Sequence, residues 1–183
     1  EIASELKFKV KKLIMLEPVL YFAPKDVLKL KLKKLLQFNE YNATDKSSSA
    51  KKRRNKFDSL EQSINHFTGR AMFASWPQES IKDYLVGGTI QKEGSFFLSC
   101  DPAWEAKTFD TVTFDTYKFL KNSTCSILII RGDKETSTFT ESAKEALLKK
   151  DRILIEEFKG SHFLPIENVE LVSDRVFDFL NNN

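Results

Sequence analysis

Two short apolar runs constrain most strongly how this chain folds. Residues 13–16 (Leu-Ile-Met-Leu) and 127–130 (Ile-Leu-Ile-Ile) are continuously apolar and end at polar or turn-forming residues. Short runs without alternation are typical of parallel strands that are buried on both faces. A third strand is predicted at residues 152–158, and helices are predicted at residues 142–150 and 169–180. This alternation of strands and helices predicts an α/β fold with a parallel sheet.

A long, mostly helical segment separates the first strand from the second. Helical periodicity dominates residues 23–122, with a capping box at Ser59 and a helix that begins after Pro77. Residues 42–55 are predicted to be a solvated loop or a frayed helix end, and residues 96–98 an isolated extended segment. The sequence thus predicts a core made of residues 1–22 and 123–183, with residues 23–122 inserted into it.

Composition and charge exclude several classes of protein. The chain is 41% hydrophobic, and its sixteen phenylalanines predict a sizeable core or an apolar pocket. A net charge of +3 is too small to predict a nucleic-acid partner, and the basic run at residues 51–54 is interpreted as solvated, with nucleic-acid binding or an import signal as the alternative. Neither a membrane-spanning run nor a signal-peptide profile is visible in the sequence.

The two cysteines bear on compartment and on metal binding. Cys100 and Cys125 form no Cys-x-x-Cys pair and have no histidine at metal-binding spacing, so neither a disulfide framework nor a zinc site is predicted. A reducing, cytoplasmic location is the expectation. Because the chain begins with Glu1 and not with methionine, processing or truncation is expected to have removed an amino-terminal part.

A histidine follows the third predicted strand. His162 lies on a turn that opens the final helix, and Asp133 and Glu135 follow the second strand. Because the carboxyl ends of parallel strands meet at one edge of a sheet, these side chains are predicted to lie near one another. An acid followed by a histidine is the order of the second half of a Ser-His-acid triad. No Gly-x-Ser-x-Gly motif, which would carry the nucleophile, occurs in the sequence.

Each of these residues has a structural alternative. His162 is alternatively a turn residue that caps a helix, and Asp133 and Glu135 are alternatively loop charges. Glu17 is interpreted as a structural carboxylate at a helix start, with a role in a pocket as the alternative. Ser161 is rejected as a nucleophile because it is next to the histidine in sequence, and His66 is interpreted as a surface or core residue.

Three blocks of this sequence resemble the carboxyl-terminal half of an α/β-hydrolase with an inserted cap domain. Gly-Ser-His-Phe-Leu-Pro-Ile-Glu-Asn-Val-Glu-Leu-Val at residues 160–172 is similar to the turn and helix that carry the family's histidine, with Ser161 where glycine is common and Val169 where proline is common. Residues 127–135 resemble the strand before the family's acid. Residues 13–19 resemble the strand that leads into the cap.

The resemblance implies a partial α/β-hydrolase fold that cleaves an ester, thioester, amide or related bond without a metal or organic cofactor. It implies His162 as the general base and Glu135 as the acid, with Asp133 as the rival. The expected substrate is a small molecule with an apolar portion, and neither nucleic acid nor membrane is expected as a partner. The residues expected to contact this substrate are aromatic: Phe73, Trp76, Trp104 and Phe163. The first three are alternatively core residues of the cap.

The same resemblance implies that the nucleophile precedes Glu1, so this chain alone is expected to be inactive. The alternative is a non-catalytic binding module in which the triad residues are vestigial. Strands without their neighbours are also expected to expose an edge of the sheet, through which the chain could self-associate.

Overall fold

The computed structural model describes residues 10–20, 45–110, 119–120, 122–133, 136–148 and 150–182. Contacts divide the chain into two compact units, a first unit of Glu1–Leu36 with Thr113–Asn183 and a second unit of Gln37–Val112. The helices predicted at residues 2–10, 28–36 and 115–120 lie wholly or largely outside the described residues, and so does Glu135. None of the described helices has the length and apolar character that crossing a bilayer requires.

The described elements are, in chain order, β1 (Lys12–Leu16), α1 (Asp45–Lys51), β2 (Lys56–Phe57), α2 (Leu60–Phe67), a 3-10 turn (Ala71–Phe73), α3 (Gln78–Gly88), β3 (Thr89–Lys92), β4 (Ser95–Leu98), α4 (Pro102–Asp110), β5 (Ser126–Gly132), α5 (Glu141–Leu147), β6 (Ile153–Phe158), α6 (Leu164–Glu167) and α7 (Val169–Asn181).

The first unit is built on a parallel sheet with the strand order β1-β5-β6. Leu13 pairs with Ile127, and Ile127 pairs with Ile153 on the other side, so β5 is the central strand. Every residue of β5 after Ser126 is buried. The α/β class and the parallel sheet predicted from the apolar runs are therefore confirmed, because an unbroken apolar strand needs cover on both faces.

Successive residues of β5 point to opposite faces of the sheet, and each face has its own helix. Ile127 and Ile129 belong to a buried cluster with Leu147 of α5. Leu128 and Ile130 belong to a second cluster that includes Val172 of α7. In parallel sheets that are covered by helices on both faces, ligands bind beyond the carboxyl ends of the strands.

Polar contacts fasten the last helix to the sheet. The Nζ of Lys12 donates to the carbonyl oxygens of Phe179 and Leu180, both at 2.9 Å, which lie among the unpaired carbonyls at the end of α7. The Nε of Arg175 donates to Glu156 of β6 at 2.8 Å. These contacts hold α7, and with it the turn that precedes it, against the strands.

The second unit has a small antiparallel sheet with the order β2-β4-β3. Residues 96–98 are therefore not the isolated segment that the sequence predicted: they lie in the central strand, where Phe97 pairs with Ile90 and Lys56. The sequence missed the sheet because its partner strands are too short to show alternation. The loop predicted at residues 42–55 contains helix α1, whose small residues Ser47 and Ala50 are buried.

Candidate functional site

Three polar side chains gather where the parallel strands end. Glu17 follows β1 directly, Asp133 follows β5, and His162 lies in the turn after β6. The parallel pairing aligns the three strand ends, so residues far apart in sequence become neighbours. This cluster contains the histidine and one of the two carboxylates that the sequence predicted.

Glu17 is held in an unusual backbone conformation. Its N–H donates to the carbonyl of Ile130 at 2.8 Å, which continues the pairing of β1 with β5 by one residue. Its φ is +45°, in the left-handed region that residues other than glycine rarely adopt. The chain then runs beside the loop after β5, where Leu20 N–H donates to the Thr138 carbonyl at 3.0 Å. The carboxylate is thereby brought to the end of β5.

The Glu17 carboxylate is surrounded by donors. The Gly132 N–H donates to Oε1 in a short hydrogen bond, and the Ser137 hydroxyl lies 3.0 Å from both oxygens. The Thr138 N–H donates to Oε2 at 3.3 Å, and His162 Nδ1 lies 3.2 Å from the same oxygen. Four donors occupy a side chain that is only 2% exposed. An ionised carboxylate accepts about four hydrogen bonds, so the acceptor capacity of this one is filled.

These donors set the charge state of Glu17. Burial by itself raises the pKa of the Glu17 carboxyl, because it removes water from the charged form. The hydrogen bonds from His162, Gly132, Ser137 and Thr138 each lower it, and together they outweigh burial, so the pKa lies below its ordinary value. The site therefore keeps a buried negative charge next to the histidine at neutral pH.

His162 faces the site with one nitrogen. Nδ1 lies 3.2 Å from Glu17 Oε2 and 3.1 Å from the hydroxyl oxygen of Thr138. With the proton on Nδ1, both oxygens act as acceptors, and a carboxylate partner favours this tautomer. Within the described part of the chain both hydrogen-bond contacts of the ring use Nδ1, so Nε2 is the nitrogen available to a reacting group. The side chain is 32% exposed, enough for a substrate to reach it.

Close backbone packing fixes the turn that carries His162. A Cβ added to Gly132 would lie 2.4 Å from the carbonyl oxygen of Gly160 and 2.7 Å from that of Ser161, so only glycine lets the two loops approach this closely. The Asp133 carboxylate accepts the Gly160 N–H at 3.0 Å. Glu167 accepts the Ser161 N–H at 2.8 Å.

The structure differs from the sequence-based expectation about the acid. Of the two predicted carboxylates, Glu135 lies outside the described residues, and its role stays a prediction. Asp133 is bonded to the backbone of Gly160 and not to the His162 ring. The carboxylate in contact with the ring is Glu17, which the sequence analysis interpreted as structural. The ring contacts Glu17 because β1 pairs with β5, and a sequence separation of 145 residues hides that proximity.

Ser161 and His66 have structural contacts. The Ser161 hydroxyl donates to Glu167 at 2.5 Å and accepts the Phe163 N–H at 3.0 Å. His66 lies in the second unit, where its ring centroid is 5.4 Å from that of Phe57 and its Nδ1 is 3.4 Å from Arg70. Burial and the charges of Arg70 and Arg54 lower the pKa of His66.

The aromatic residues predicted to bind substrate have different surroundings. Phe73 is buried in the core of the second unit, where its ring contacts those of Phe67, Trp76 and Tyr84. Trp104 is 70% exposed on α4. In the first unit, Phe163 is half-buried beside the His162 ring, with 5.1 Å between the ring centroids. Phe163 is the predicted aromatic residue that adjoins the histidine.

Three residues at the site were missed or undervalued. Ser137 and Thr138 gave no signal beyond being polar residues in the loop after a strand. Glu17 did give one, because it is a carboxylate that directly follows a buried parallel strand and precedes a proline. Metal binding has no such support: among the described residues, no three His, Cys, Asp or Glu side chains are grouped as metal ligands would be.

Comparisons with known proteins agree with this architecture. No protein-family model matches the sequence, and no curated protein sequence matches it significantly. Several solved structures are similar. E-2-(acetamidomethylene)succinate hydrolase superposes with a TM-score of 0.71 at 14% identity, over 98% of this chain and 61% of its own length. A peroxisomal α/β-hydrolase from Saccharomyces cerevisiae has a TM-score of 0.70 at 11% identity, over 97% of this chain and 49% of its own.

A third similar structure is the thioesterase domain from the curacin biosynthetic pathway, with a TM-score of 0.65 at 16% identity, over 97% of this chain and 61% of its own length. The fold of this chain is therefore that of the α/β-hydrolases. The chain spans about half to three fifths of the length of these three structures.

Proposed function

We propose, from the α/β-hydrolase fold of this chain, that it supplies the histidine and the acid of a hydrolytic site that cleaves an ester, thioester, amide or related bond. His162 is the general base and Glu17 is the acid that orients it. The nucleophile is a serine that lies outside these residues. The α/β-hydrolase fold supports the class of bond that is cleaved. The contact between His162 Nδ1 and Glu17 Oε2 supports the pairing of histidine with acid.

One observation carries this proposal: a buried, charged carboxylate contacts Nδ1 of a partly exposed histidine at the carboxyl ends of the strands of a parallel sheet. A structural histidine in a turn would need one partner, and a backbone carbonyl would serve. Four donors instead converge on Glu17, in a backbone conformation that costs about 1–3 kcal/mol. Strain of this kind concentrates at functional sites, because the surrounding contacts must hold it in place.

The chemistry follows from the two ring nitrogens of His162. In the neutral ring whose Nδ1–H donates to Glu17, Nε2 carries the lone pair, which accepts the proton of the attacking serine hydroxyl. The imidazolium that forms is stabilised by the Glu17 charge, and Nε2 then gives the proton to the leaving group. In the second half-reaction Nε2 takes a proton from water, which attacks the acyl group, and returns that proton to the serine.

Substrate and setting are part of the same proposal. We expect a small molecule with an apolar portion, because the aromatic ring of Phe163 lies beside the His162 ring. A reducing, cytoplasmic setting is proposed because both cysteines are free thiols, Cys100 exposed and Cys125 buried.

The first test reads the native coding sequence upstream of the Glu1 codon. A Gly-x-Ser-x-Gly between a predicted strand and a helix would supply the nucleophile. A start codon at or near Glu1, or an elbow without its serine, would contradict the proposal and favour a binding module with vestigial triad residues.

The second test measures kcat and KM of the native protein with activated esters and thioesters. His162→Gln and Glu17→Gln are each expected to lower kcat by at least about a hundredfold, because the first removes the base and the second leaves the base unoriented. The matched controls are His66→Gln and Asp133→Asn, the latter of which retains an oxygen to accept the Gly160 N–H. Both controls are expected to keep wild-type kcat within a factor of a few.

The controls also decide which acid acts. A large loss in Asp133→Asn with little change in Glu17→Gln would transfer the role of the acid to Asp133. Equal losses in His162→Gln and His66→Gln would mean that the loss reports protein stability and not a base at position 162.

A further inference from the structure

We propose that Ser137 and Thr138, here called the hydroxyl pair, are positioning residues for the proposed reaction: Ser137 holds the Glu17 carboxylate and Thr138 holds the His162 ring. This inference rests on the proposed function for its relevance to turnover. The roles of the two side chains are tested separately, on the 183-residue chain itself.

Thr138 shares the histidine proton with the acid. Its Oγ1 lies 3.1 Å from His162 Nδ1, slightly nearer than the 3.2 Å of Glu17 Oε2. The same hydroxyl lies 3.3 Å from the carbonyl oxygens of Glu17 and Pro18. Its proton can therefore go to one of those carbonyls while its lone pair accepts the Nδ1–H. Two acceptors from two different loops then fix the ring orientation and the tautomer with the proton on Nδ1.

Ser137 acts on the carboxylate. Its hydroxyl lies 3.0 Å from Oε1 and 3.0 Å from Oε2 of Glu17, so one O–H bridges both oxygens. A donor in this position fixes the rotation of the carboxylate about its last bond and directs the remaining lone pairs toward the other donors. Since the hydrogen-bond contacts of the His162 ring within the described residues are to Thr138 and Glu17, Ser137 acts on the ring only through Glu17.

Burial and backbone contacts fix the position of Thr138 in the hydroxyl pair. Thr138 is 3% exposed, and its carbonyl accepts the Leu20 N–H at 3.0 Å. Its N–H donates to Glu17 Oε2 at 3.3 Å. Backbone and side chain of Thr138 thus contact the acid and the base together. A hydroxyl placed only to satisfy the backbone would not need to be within 3.1 Å of a ring nitrogen.

Among the described residues, Glu17 is the charged group in contact with His162. Two further carboxylates in the described parts of the neighbouring loops accept backbone donors: Asp133 accepts from Gly160, and Glu167 accepts from Ser161. A change measured at Glu17 or His162 in a variant of the hydroxyl pair therefore reports the lost hydroxyl.

The test uses nuclear magnetic resonance of the full chain, because it contains only two histidines, His66 and His162. Nitrogen shifts of the rings report the tautomer, and a His66→Gln variant assigns the signals. Thr138→Val is expected to raise the minor, Nε2-protonated tautomer of His162 about 2- to 10-fold, because one acceptor of the Nδ1–H is lost. Thr138→Ser, which keeps the hydroxyl, is expected to restore the wild-type shifts.

Ser137→Ala is read at the carboxyl carbon of Glu17. The Ser137 hydrogen bond lowers the pKa of this group, so its removal is expected to raise the midpoint of the Glu17 titration. The ring tautomer is expected to change less than in Thr138→Val. In the native protein each variant is expected to lower kcat by about 3- to 10-fold with a smaller change in KM.

The matched control is Thr68→Val in the second unit, where the threonine hydroxyl donates to the Ile64 carbonyl at 2.8 Å. This variant loses a hydroxyl and a hydrogen bond in the same way. It is expected to leave the His162 nitrogen shifts and the midpoint of the Glu17 titration unchanged. If Thr138→Val does not fold, Thr138→Ala replaces it with the same expectation. Unchanged His162 shifts and an unchanged Glu17 midpoint in folded variants would overturn the proposal.

Failure of this inference is distinct from failure of the proposed function. If the reporters change as expected but the native protein has no hydrolytic activity, the hydroxyl pair positions Glu17 and His162, and the proposed function is wrong. If activity depends on His162, but substitutions in the hydroxyl pair change neither the His162 nitrogen shifts nor the midpoint of the Glu17 titration, the proposed function stands and this inference is wrong.

Discussion

At the scale of single residues, Glu17 concentrates most of the information about the site. It is buried, it has a left-handed backbone, and its carboxylate meets donors from β5, from the loop after β5 and from the turn after β6. A carboxylate that only ended a strand would be stable facing solvent. Its burial is tolerated because the donors replace the water that it loses.

Replacing Glu17 with glutamine is expected to destabilise the chain by about 1–3 kcal/mol at pH 7, because an amide NH₂ would face N–H and O–H donors. The pH dependence follows from the lowered pKa of Glu17. A carboxyl whose pKa is lower in the folded state stabilises the fold above its unfolded value, and this stabilisation is lost as the pH falls through the folded value. The difference between wild type and variant should therefore shrink as the pH falls below the ordinary 4.5.

Urea unfolding at a series of pH values measures this difference. Asp174→Asn, at an exposed position of α7, is the matched control and is expected to change the free energy of unfolding by less than about 0.5 kcal/mol. A stability difference for Glu17→Gln that stays constant from pH 7 to pH 3 would mean that the Glu17 charge contributes nothing to the fold.

At the scale of elements, the site depends on how closely two loops approach one another. The end of β5 and the turn after β6 meet backbone to backbone at Gly132, and the Gly132 N–H is also the donor to Glu17. The same glycine therefore sets the positions of both the acid and the histidine turn. A side chain at this point would separate the loops and with them Glu17 and His162.

Gly132→Ala is expected to destabilise the chain by about 1–3 kcal/mol, because the new Cβ would lie under 3 Å from two backbone carbonyl oxygens that no rotamer change can move. Gly87→Ala in helix α3 is the matched control. A Cβ there meets nothing within 4 Å, and alanine favours the helix, so stability is expected to rise by about 0.4–1 kcal/mol. Thermal unfolding measures both, and equal effects would contradict the close approach at Gly132.

Elements were predicted best where local signals determine them. The helix start at Ser59 is confirmed, since the Ser59 hydroxyl accepts the Gln62 N–H at 3.0 Å at the start of α2, while the Gln62 side chain accepts the N–H of Asp58 and not that of Ser59. The helix after Pro77 and the final helix were also confirmed within a residue or two. Strand β4 was recognised as extended, but its partners were not, because pairing between short strands depends on contacts distant in sequence.

At the scale of the whole molecule, this chain contains the proposed base and the proposed acid, and its sequence has no Gly-x-Ser-x-Gly motif. The contact between Glu17 and His162 forms within this chain, through its own parallel sheet. The similar structures are considerably longer than the chain. A histidine and an acid without a nucleophile and the backbone donors beside it lack most of the catalytic power of such a site. The isolated chain is therefore a test of which parts the reaction needs.

The 183-residue chain by itself is expected to show no turnover of activated esters above a His162→Ala control, and no covalent adduct with a fluorophosphonate probe. Mass spectrometry of the intact chain after labelling provides the second measurement. A stoichiometric adduct on one of its serines, lost in His162→Ala, would show that the chain contains its own nucleophile and would contradict the proposal.

The sequence by itself determined the parallel strands and pointed to His162, in the turn after the third of them, as the candidate base. Both depend on the local sequence. Buried parallel strands are continuously apolar, and the turn that carries His162 is marked by Gly160 before it and by the helix after it. Tertiary structure alone decided which carboxylate contacts His162 and that Ser137 and Thr138 contact Glu17 and His162. Hydrogen bonds act over about 3 Å, and only the pairing of β1 with β5 brings Glu17 within that distance of a residue so far along the chain.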